Sequence, residues 1–218
     1  MFSYAVDFGI IDHNRLIRFG MLKEQRKEFY ALSQDEVARI ISEQCSLLHA
    51  NFIQLIAETG LRLSETTELQ WSNISISERV LTVAASKNYG TRKIPLSDPA
   101  ISSLTSTLRY IGNQWVWVNG PKSRLKYPRK AFRSSVKRAG LPTIGFPDLR
   151  RYRATWWYRH RLEVRSISAL LDHSDVQTTM RYLGISRDLF GRVIEAQEAE
   201  QKSQSYCSTG NNQTAENR

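Results

Sequence analysis

Cysteine is nearly missing: Cys45 and Cys207 are the only two in 218 residues, and they lie far apart in the chain. That excludes a disulfide framework and a thiolate metal site. His13, His49, His160 and His173 are equally dispersed, so no metal is expected. The 11 glycines are scattered, which excludes a phosphate-cradling loop. No apolar run approaches the roughly 18–20 residues that cross a bilayer, and the start lacks the basic head and cleavage site of a secretory signal. The expected location is the cytosol, with no membrane partner.

Acidic residues are scarce in one region. Between Pro121 and Arg165 there are 14 Lys and Arg against only Asp148 and Glu163, in a chain whose net charge is +10. A solvated face mixes both signs, so a one-signed stretch points to a polyanion, nucleic acid first. The same shortage argues against a metal-dependent nuclease, which needs converging carboxylates. A membrane surface fits poorly, because no basic helix carries a wide apolar face. With 41% hydrophobic residues, the chain has enough to bury one ordinary core.

Apolar periodicity predicts a mainly α chain with a small antiparallel β-sheet. "SQDE" at Ser33 to Glu36 fits a capping box, followed by Val37, Ile40 and Ile41. A second helix runs from about Ser46 to Glu58 and stops at Gly60, and a third starts near Ser64. "RVLTVAAS" and "TRKIPLS" read as two strands joined by the turn "KNYG", with Lys87 at the end of the first. After the Ser97 cap, Ile101, Leu104, Leu108 and Ile111 form one stripe. "WVWV", Trp115 to Val118, has no clear place. Helices are then expected at Pro128 to Ala139, Asp148 to about Arg161, Ser166 to Leu171, and Asp188 to Gln201. The polar tail beyond lacks periodicity and reads as disordered.

Chemistry on a phosphate without a metal must rely on cationic side chains. Arginine presents a planar fork of donors to non-bridging oxygens, and lysine can give a proton to a leaving oxygen. "ETGLRLSE" places Arg62 just past a glycine-capped helix, Lys87 lies at the hairpin, and "PDLRRYRATWW" places Arg150 at a helix start. Tyr182 is a candidate nucleophile. Each also has an ordinary reading: Arg62 and Glu65 as an exposed i,i+3 pair, Lys87 as hairpin decoration, Arg150 as one more phosphate-touching arginine, His173 as a turn plug, Tyr182 as a core edge.

Four segments in order, "TGLRLSETTELQWSNIS", "SKNYGTRKIPL", "PDLRRYRAT" and "LLDHSDVQTTMRYLG", resemble the signature segments of the tyrosine recombinases, the phage integrase family. The likeness spans about Tyr30 to Tyr182. It implies that family's catalytic-domain fold and a site-specific DNA recombinase acting through a 3′-phosphotyrosyl intermediate. By that resemblance Arg62 and Arg150 would bind the scissile phosphate, Lys87 would protonate the departing 5′ oxygen, His173 would hydrogen-bond a phosphate oxygen, and Tyr182 would attack. Glu65 would orient Arg62. Arg129, Lys130, Arg133, Lys137, Arg151 and Arg153 are the expected DNA contacts. The implied partner is double-stranded DNA, with a tetramer in the family, and no cofactor is needed because the covalent link conserves the ester energy.

Two positions depart from the family pattern. Pro147 stands where a histidine usually precedes Arg150 by three residues, and Asp172 stands where a glycine commonly precedes the histidine. A carboxylate beside His173 would either favour the imidazolium or repel the phosphate. The expected organisation is a remnant of the upstream DNA-clamping domain and linker over residues 1–29, a catalytic domain over 30–200 and a disordered tail over 201–218. An apolar stripe of Leu189, Phe190, Val193 and Ile194 would pack on a neighbouring protomer or fold back. The rivals are a type IB topoisomerase-like enzyme and a non-catalytic DNA-binding integrase relative, for which Pro147 is the best argument.

Overall fold

The computed structural model describes residues 2–13, 30–84, 90–121, 123–126, 128–173 and 175–184. Helix α1 (Phe2–Asp7) stands at the start. Helix α2 (Gln34–Ser42) opens with the expected capping box: the Glu36 backbone N–H donates to Ser33 Oγ, and the Ser33 N–H donates to Glu36 Oε2 at 2.8 Å. Helix α3 (Leu47–Thr59) is buried on most of its surface through Phe52, Ile53, Leu55 and Ile56, which makes it the central helix. It ends at Gly60, whose φ of +67° is the left-handed conformation that closes helices.

After the short α4 (Leu63–Thr67), three strands form an antiparallel meander in the order β1-β2-β3: β1 (Ile74–Ser75), β2 (Val80–Ala84) and β3 (Thr91–Pro95). Val80 faces Pro95 and Ala84 faces Thr91 across the β2–β3 pair, and Ile74 faces Leu81 across β1–β2. The sequence predicts only two of these strands, because a two-residue strand has no room for an alternating pattern. Ile94 points inward between exposed Lys93 and Pro95, with half-buried Arg92 two residues earlier on the same face.

Helix α5 (Asp98–Thr105) begins at the expected Ser97 cap, but it stops earlier than the predicted stripe. Leu104 is buried, whereas Leu108 and Ile111 lie beyond the helix and are exposed. The stripe is broken because Ser106 caps the helix and the chain turns through Gly112 at φ +78°. "WVWV" enters the core as a bridged extended segment: Trp115 pairs with Gln70 and Val118 with Arg124, while Val116, Trp117 and Val118 are buried. Helices α6 (Arg129–Arg138), α7 (Phe146–Arg159), α8 (Val164–Leu171) and α9 (Val176–Leu183) complete the described chain. No helix among the described residues is long and apolar enough to cross a membrane.

Two apolar clusters organise the packing. The larger gathers α2, α3, the sheet, α5 and α6 around Phe52, Trp117, Phe132 and Phe146, with Phe52 edge-on to Trp117 at 5.2 Å and Phe132 stacked on Phe146 at 4.5 Å. The smaller joins α7, α8 and α9 through Ala154, Trp157, Ile167, Leu171 and Leu183. Arg153, expected to touch DNA, lies between α7 and α3 instead. It is only 5% exposed, its Nε donates to Ala57 O at 2.8 Å, and it pairs with Glu58, which also accepts from Ser97 Oγ. Trp156 and Trp157 cover its guanidinium. Stepping along α7 from Arg150 shows why: a residue three positions on shares its inward face. Lys87, the predicted 188–201 helix with Leu189, Phe190, Val193 and Ile194, and the tail lie outside the described residues.

Gly60 is where the two clusters meet. A Cβ there would come within 3.1 Å of Leu171 Cδ2, in a backbone conformation that L-residues avoid. Gly60→Ala is expected to lower stability by about 2–4 kcal/mol, from the left-handed penalty plus overpacking. The check is a urea midpoint that falls with an unchanged slope.

Candidate active site

The turn after α3 sets the first arginine. With Gly60 ending the helix, Arg62 becomes the residue that opens α4, and its backbone N–H donates to Glu65 Oε2 at 2.8 Å. Its side chain then folds back over the same carboxylate, Nη1 donating to Glu65 Oε1 at 3.0 Å. Across the fold, Nη1 also donates to Asp172 Oδ2 at 2.7 Å and Nη2 donates to the Asp172 carbonyl at 2.6 Å. Burial would lower the Arg62 pKa, but the hydrogen bonds it donates to Asp172 and Glu65 raise it above the ordinary value. Arg62 Nε and the second Nη2 proton keep one edge of the donor fork without a partner among the described residues.

Arg150 is more deeply set, at 4% exposure. Nη1 donates to Gly60 O at 2.7 Å and Nη2 to Leu171 O, so one guanidinium joins the last carbonyls of α3 and α8. Helix C-termini present unpaired carbonyls and the negative end of the dipole, which is where a cation is favoured. Burial, together with the neighbouring Arg62 charge, pulls its pKa down to about 10, still protonated at neutral pH.

A third arginine, Arg92 on β3, was not among the sequence candidates. Its Nη2 donates to Glu65 Oε2 at 2.7 Å and its Nε to Leu170 O at 3.0 Å, with Nη1 3.8 Å from Asp172 Oδ2. Burial pushes the Glu65 carboxyl up, but the bonds from Arg92 and from the Arg62 backbone hold it below the usual carboxylate range. The signal for Arg92 was in the strand alternation, which puts it on the same face as buried Ile94.

Asp172 caps α8 in the left-handed conformation, φ +52° and ψ +50°, which explains why a glycine suits this position. Its carboxylate serves the arginines, and its pull toward the imidazolium, expected from the sequence, is present but outweighed. Burial, then Arg150 and Arg62, push His173 down to about 4, outweighing the opposing effect of Asp172. His173 is therefore neutral at pH 7. Its Nδ1 lies 2.8 Å from Thr179 Oγ1, and its ring meets Tyr182 edge-on at 5.0 Å. Arg151, bound to Asp148 at 2.9 Å, places its guanidinium 5.0 Å from the Tyr182 ring centroid.

Arg62, Arg150, His173 and Tyr182 thus line one cavity of about 630 Å³. Pro147 lines it too, as an early residue of α7, offering neither donor nor acceptor from its ring. Arg129 and Arg133, one turn apart on α6, border the same cavity, while Lys130 and Lys137 are exposed elsewhere on that helix. Glu65 stands behind Arg62, Arg153 is absent from the site, and Lys87 lies outside the described residues. No cluster of metal-ligating residues occurs among the described residues. The arrangement can receive a small anion on guanidinium and imidazole donors beside a phenol.

The chain matches the Phage integrase family over residues 30–187. It is 31% identical over 196 residues to a tyrosine recombinase of Thermosipho africanus (strain TCF52B), covering 85% of this chain and 68% of the relative. It is 25% identical to the integrase of Salmonella phage P22, covering 81% of this chain but only 48% of that protein. Its fold is that of a lambda integrase (residues 75–356) dimer bound to a COC′ core site, with TM-score 0.69 and 21% identity over 84% of this chain and 68% of the other. XerA recombinase superposes with TM-score 0.65 at 21% identity, over 87% and 72% of the two chains. The capped turn that carries Arg62, the arginine bridging two helix ends and the tyrosine of α9 therefore sit in a chain that belongs to the phage integrase family, the tyrosine recombinases.

Proposed function

We propose that this chain breaks and rejoins DNA strands as a site-specific recombinase, with Tyr182 as its nucleophile. The observation that carries the reading is the convergence of Arg62, Arg150, His173 and Tyr182 on one cavity. A phosphodiester placed there would have its non-bridging oxygens on the free edge of the Arg62 fork and on Arg150, with His173 donating from its remaining ring nitrogen. The Tyr182 oxygen attacks phosphorus and gives its proton to solvent water. The P–O5′ bond breaks, and the 5′ oxygen takes a proton, for which Lys87 is the proposed donor. The 3′-phosphotyrosyl bond stores the ester energy, so a 5′ hydroxyl from another strand can reverse the step without ATP.

Duplex DNA is the proposed partner, with Arg129 and Arg133 at the cavity edge and Lys130 and Lys137 further along α6 following its backbone. Arg151 acts on the Tyr182 ring rather than on DNA in this reading, since it is engaged by Asp148. Assembly into a tetramer on paired sites and work at the nucleoid extend the same proposal. A second reading, a DNA-binding factor without cleavage, is favoured by Pro147 alone, because the ring removes a donor from the cavity wall.

Incubation with a nicked duplex carrying candidate core sites, in EDTA, is expected to yield a covalent protein–DNA adduct that Tyr182→Phe abolishes while DNA binding is retained. Binding without adduct in the parent chain would sink the cleavage reading in favour of the DNA-binding factor. Pro147→His is expected to raise the adduct rate about 100-fold by restoring a donor at the phosphate, the low end of the roughly 10²–10³ that one preorganised donor contributes.

His173 supplies a pH test. Its folded pKa of about 4 lies below the unfolded value, so the unfolded chain binds the extra proton first. Stability is then full above about pH 6.5 and declines toward pH 4. In NMR titrations the His173 ring signals should move near pH 4 in the free protein. Inorganic phosphate should raise that midpoint, because an anion offsets the Arg150 and Arg62 charges.

A further inference from the structure

A buried hydroxyl touches the imidazole of the site. Thr179 is fully buried on α9, and its Oγ1 has one hydrogen-bond partner among the described residues, His173 Nδ1 at 2.8 Å. Two protonation patterns fit that distance. If His173 Nδ1 carried the proton and donated it to Oγ1, the Thr179 hydroxyl proton would be left in the interior without an acceptor among the described residues. If Nδ1 is bare, the hydroxyl donates to it and both groups are satisfied. A buried donor left unmade is the costlier state, so the second pattern prevails.

We propose that Thr179 is a positioning residue that holds His173 as the Nε2–H tautomer, so that the ring offers the cavity a neutral hydrogen-bond donor, and that it sets the Tyr182 helix against that ring. The second half follows from where the groups are tethered. The His173 backbone belongs to the end of α8, its N–H donating to Ser168 O at 3.1 Å and its carbonyl accepting from Ser168 Oγ at 3.4 Å. Thr179 and Tyr182 sit three residues apart on α9, hence on one face. The Thr179–His173 bond and the His173–Tyr182 ring contact are thus adjacent links between the same two helices. A ring nitrogen's partner decides which other nitrogen carries the proton. The lowered His173 pKa agrees with a ring that accepts at Nδ1 rather than one carrying two protons.

The catalytic half of the inference rests on the recombinase reading, and the tautomer half does not. The test uses the full chain and two variants, Thr179→Val, which keeps the shape and deletes the hydroxyl, and Thr179→Ser, which restores it. In nitrogen-15 spectra at pH 7 without DNA, the parent chain is expected to show Nε2 protonated and Nδ1 shifted as a hydrogen-bond acceptor. Thr179→Val should return Nδ1 to the shift of an unbonded nitrogen and let the Nδ1–H form appear. Thr179→Ser should recover the parent spectrum. In single-turnover cleavage of the nicked duplex, Thr179→Val should lower the adduct rate about tenfold with unchanged DNA affinity, and Thr179→Ser should recover it. A parent spectrum with Nδ1 protonated, or a Thr179→Val spectrum identical to the parent, overturns the assignment. A changed spectrum with an unchanged adduct rate overturns the positioning role. Absence of any adduct in the parent chain counts against the recombinase reading, and with it the catalytic role, while the spectra still decide the tautomer.

Discussion

Arg150 is the constraint on which the rest of the site depends. It is buried where two helices end, and its guanidinium takes the terminal carbonyls Gly60 O and Leu171 O. Those carbonyls would otherwise stand unpaired in the interior, and the buried guanidinium N–H groups would otherwise lack acceptors. The bond therefore serves the fold and leaves the remaining guanidinium protons beside the cavity. It also fixes the distance between the α3–α4 turn, which carries Arg62, and the α8–α9 turn, which carries Asp172 and His173.

Around that bridge the charges nearly cancel. Arg62, Arg92 and Arg150 stand against Glu65 and Asp172, and the carboxylates are placed behind the arginines or alongside them. One positive charge is left over, which a single phosphodiester would neutralise. A neutral His173 fits this accounting: a fourth cation among three guanidiniums would be repelled, whereas a neutral donor adds a hydrogen bond without adding charge. Asp172 shows how a residue in an unfavoured backbone conformation is kept. Its left-handed φ is strained for a side-chain-bearing residue, and the ion pair with Arg62 offsets the strain.

Local signals in the sequence carried much of this arrangement. The Ser33–Glu36 box, the Gly60 stop and the Ser97 cap are short-range chemistry, and each appears at the expected residue. Ordered motifs mark Arg62, Arg150, His173 and Tyr182 in the sequence, and folding brings these four to one cavity. What escaped was set by partners distant in the chain. Leu108 and Ile111 kept helical spacing after the helix had stopped, and nothing in the pattern reports whether a neighbour is there to cover them. Arg153 read as one of many basic residues, yet Glu58, 95 positions away, holds it inside. For Arg92 the strand alternation gives the face, but its acceptors, Glu65 and the Leu170 carbonyl, lie in other segments.

Because both Arg62 and Arg150 are anchored through protein acceptors before any ligand arrives, their rotamers are chosen during folding. A free arginine surrenders roughly 2 kcal/mol of conformational entropy when it is immobilised. Here that loss is incurred once, at synthesis, and an anion entering the cavity would meet groups already at rest. Discrimination between a correctly seated anion and one displaced by an ångström would then be a matter of rigid geometry rather than of adaptive side chains.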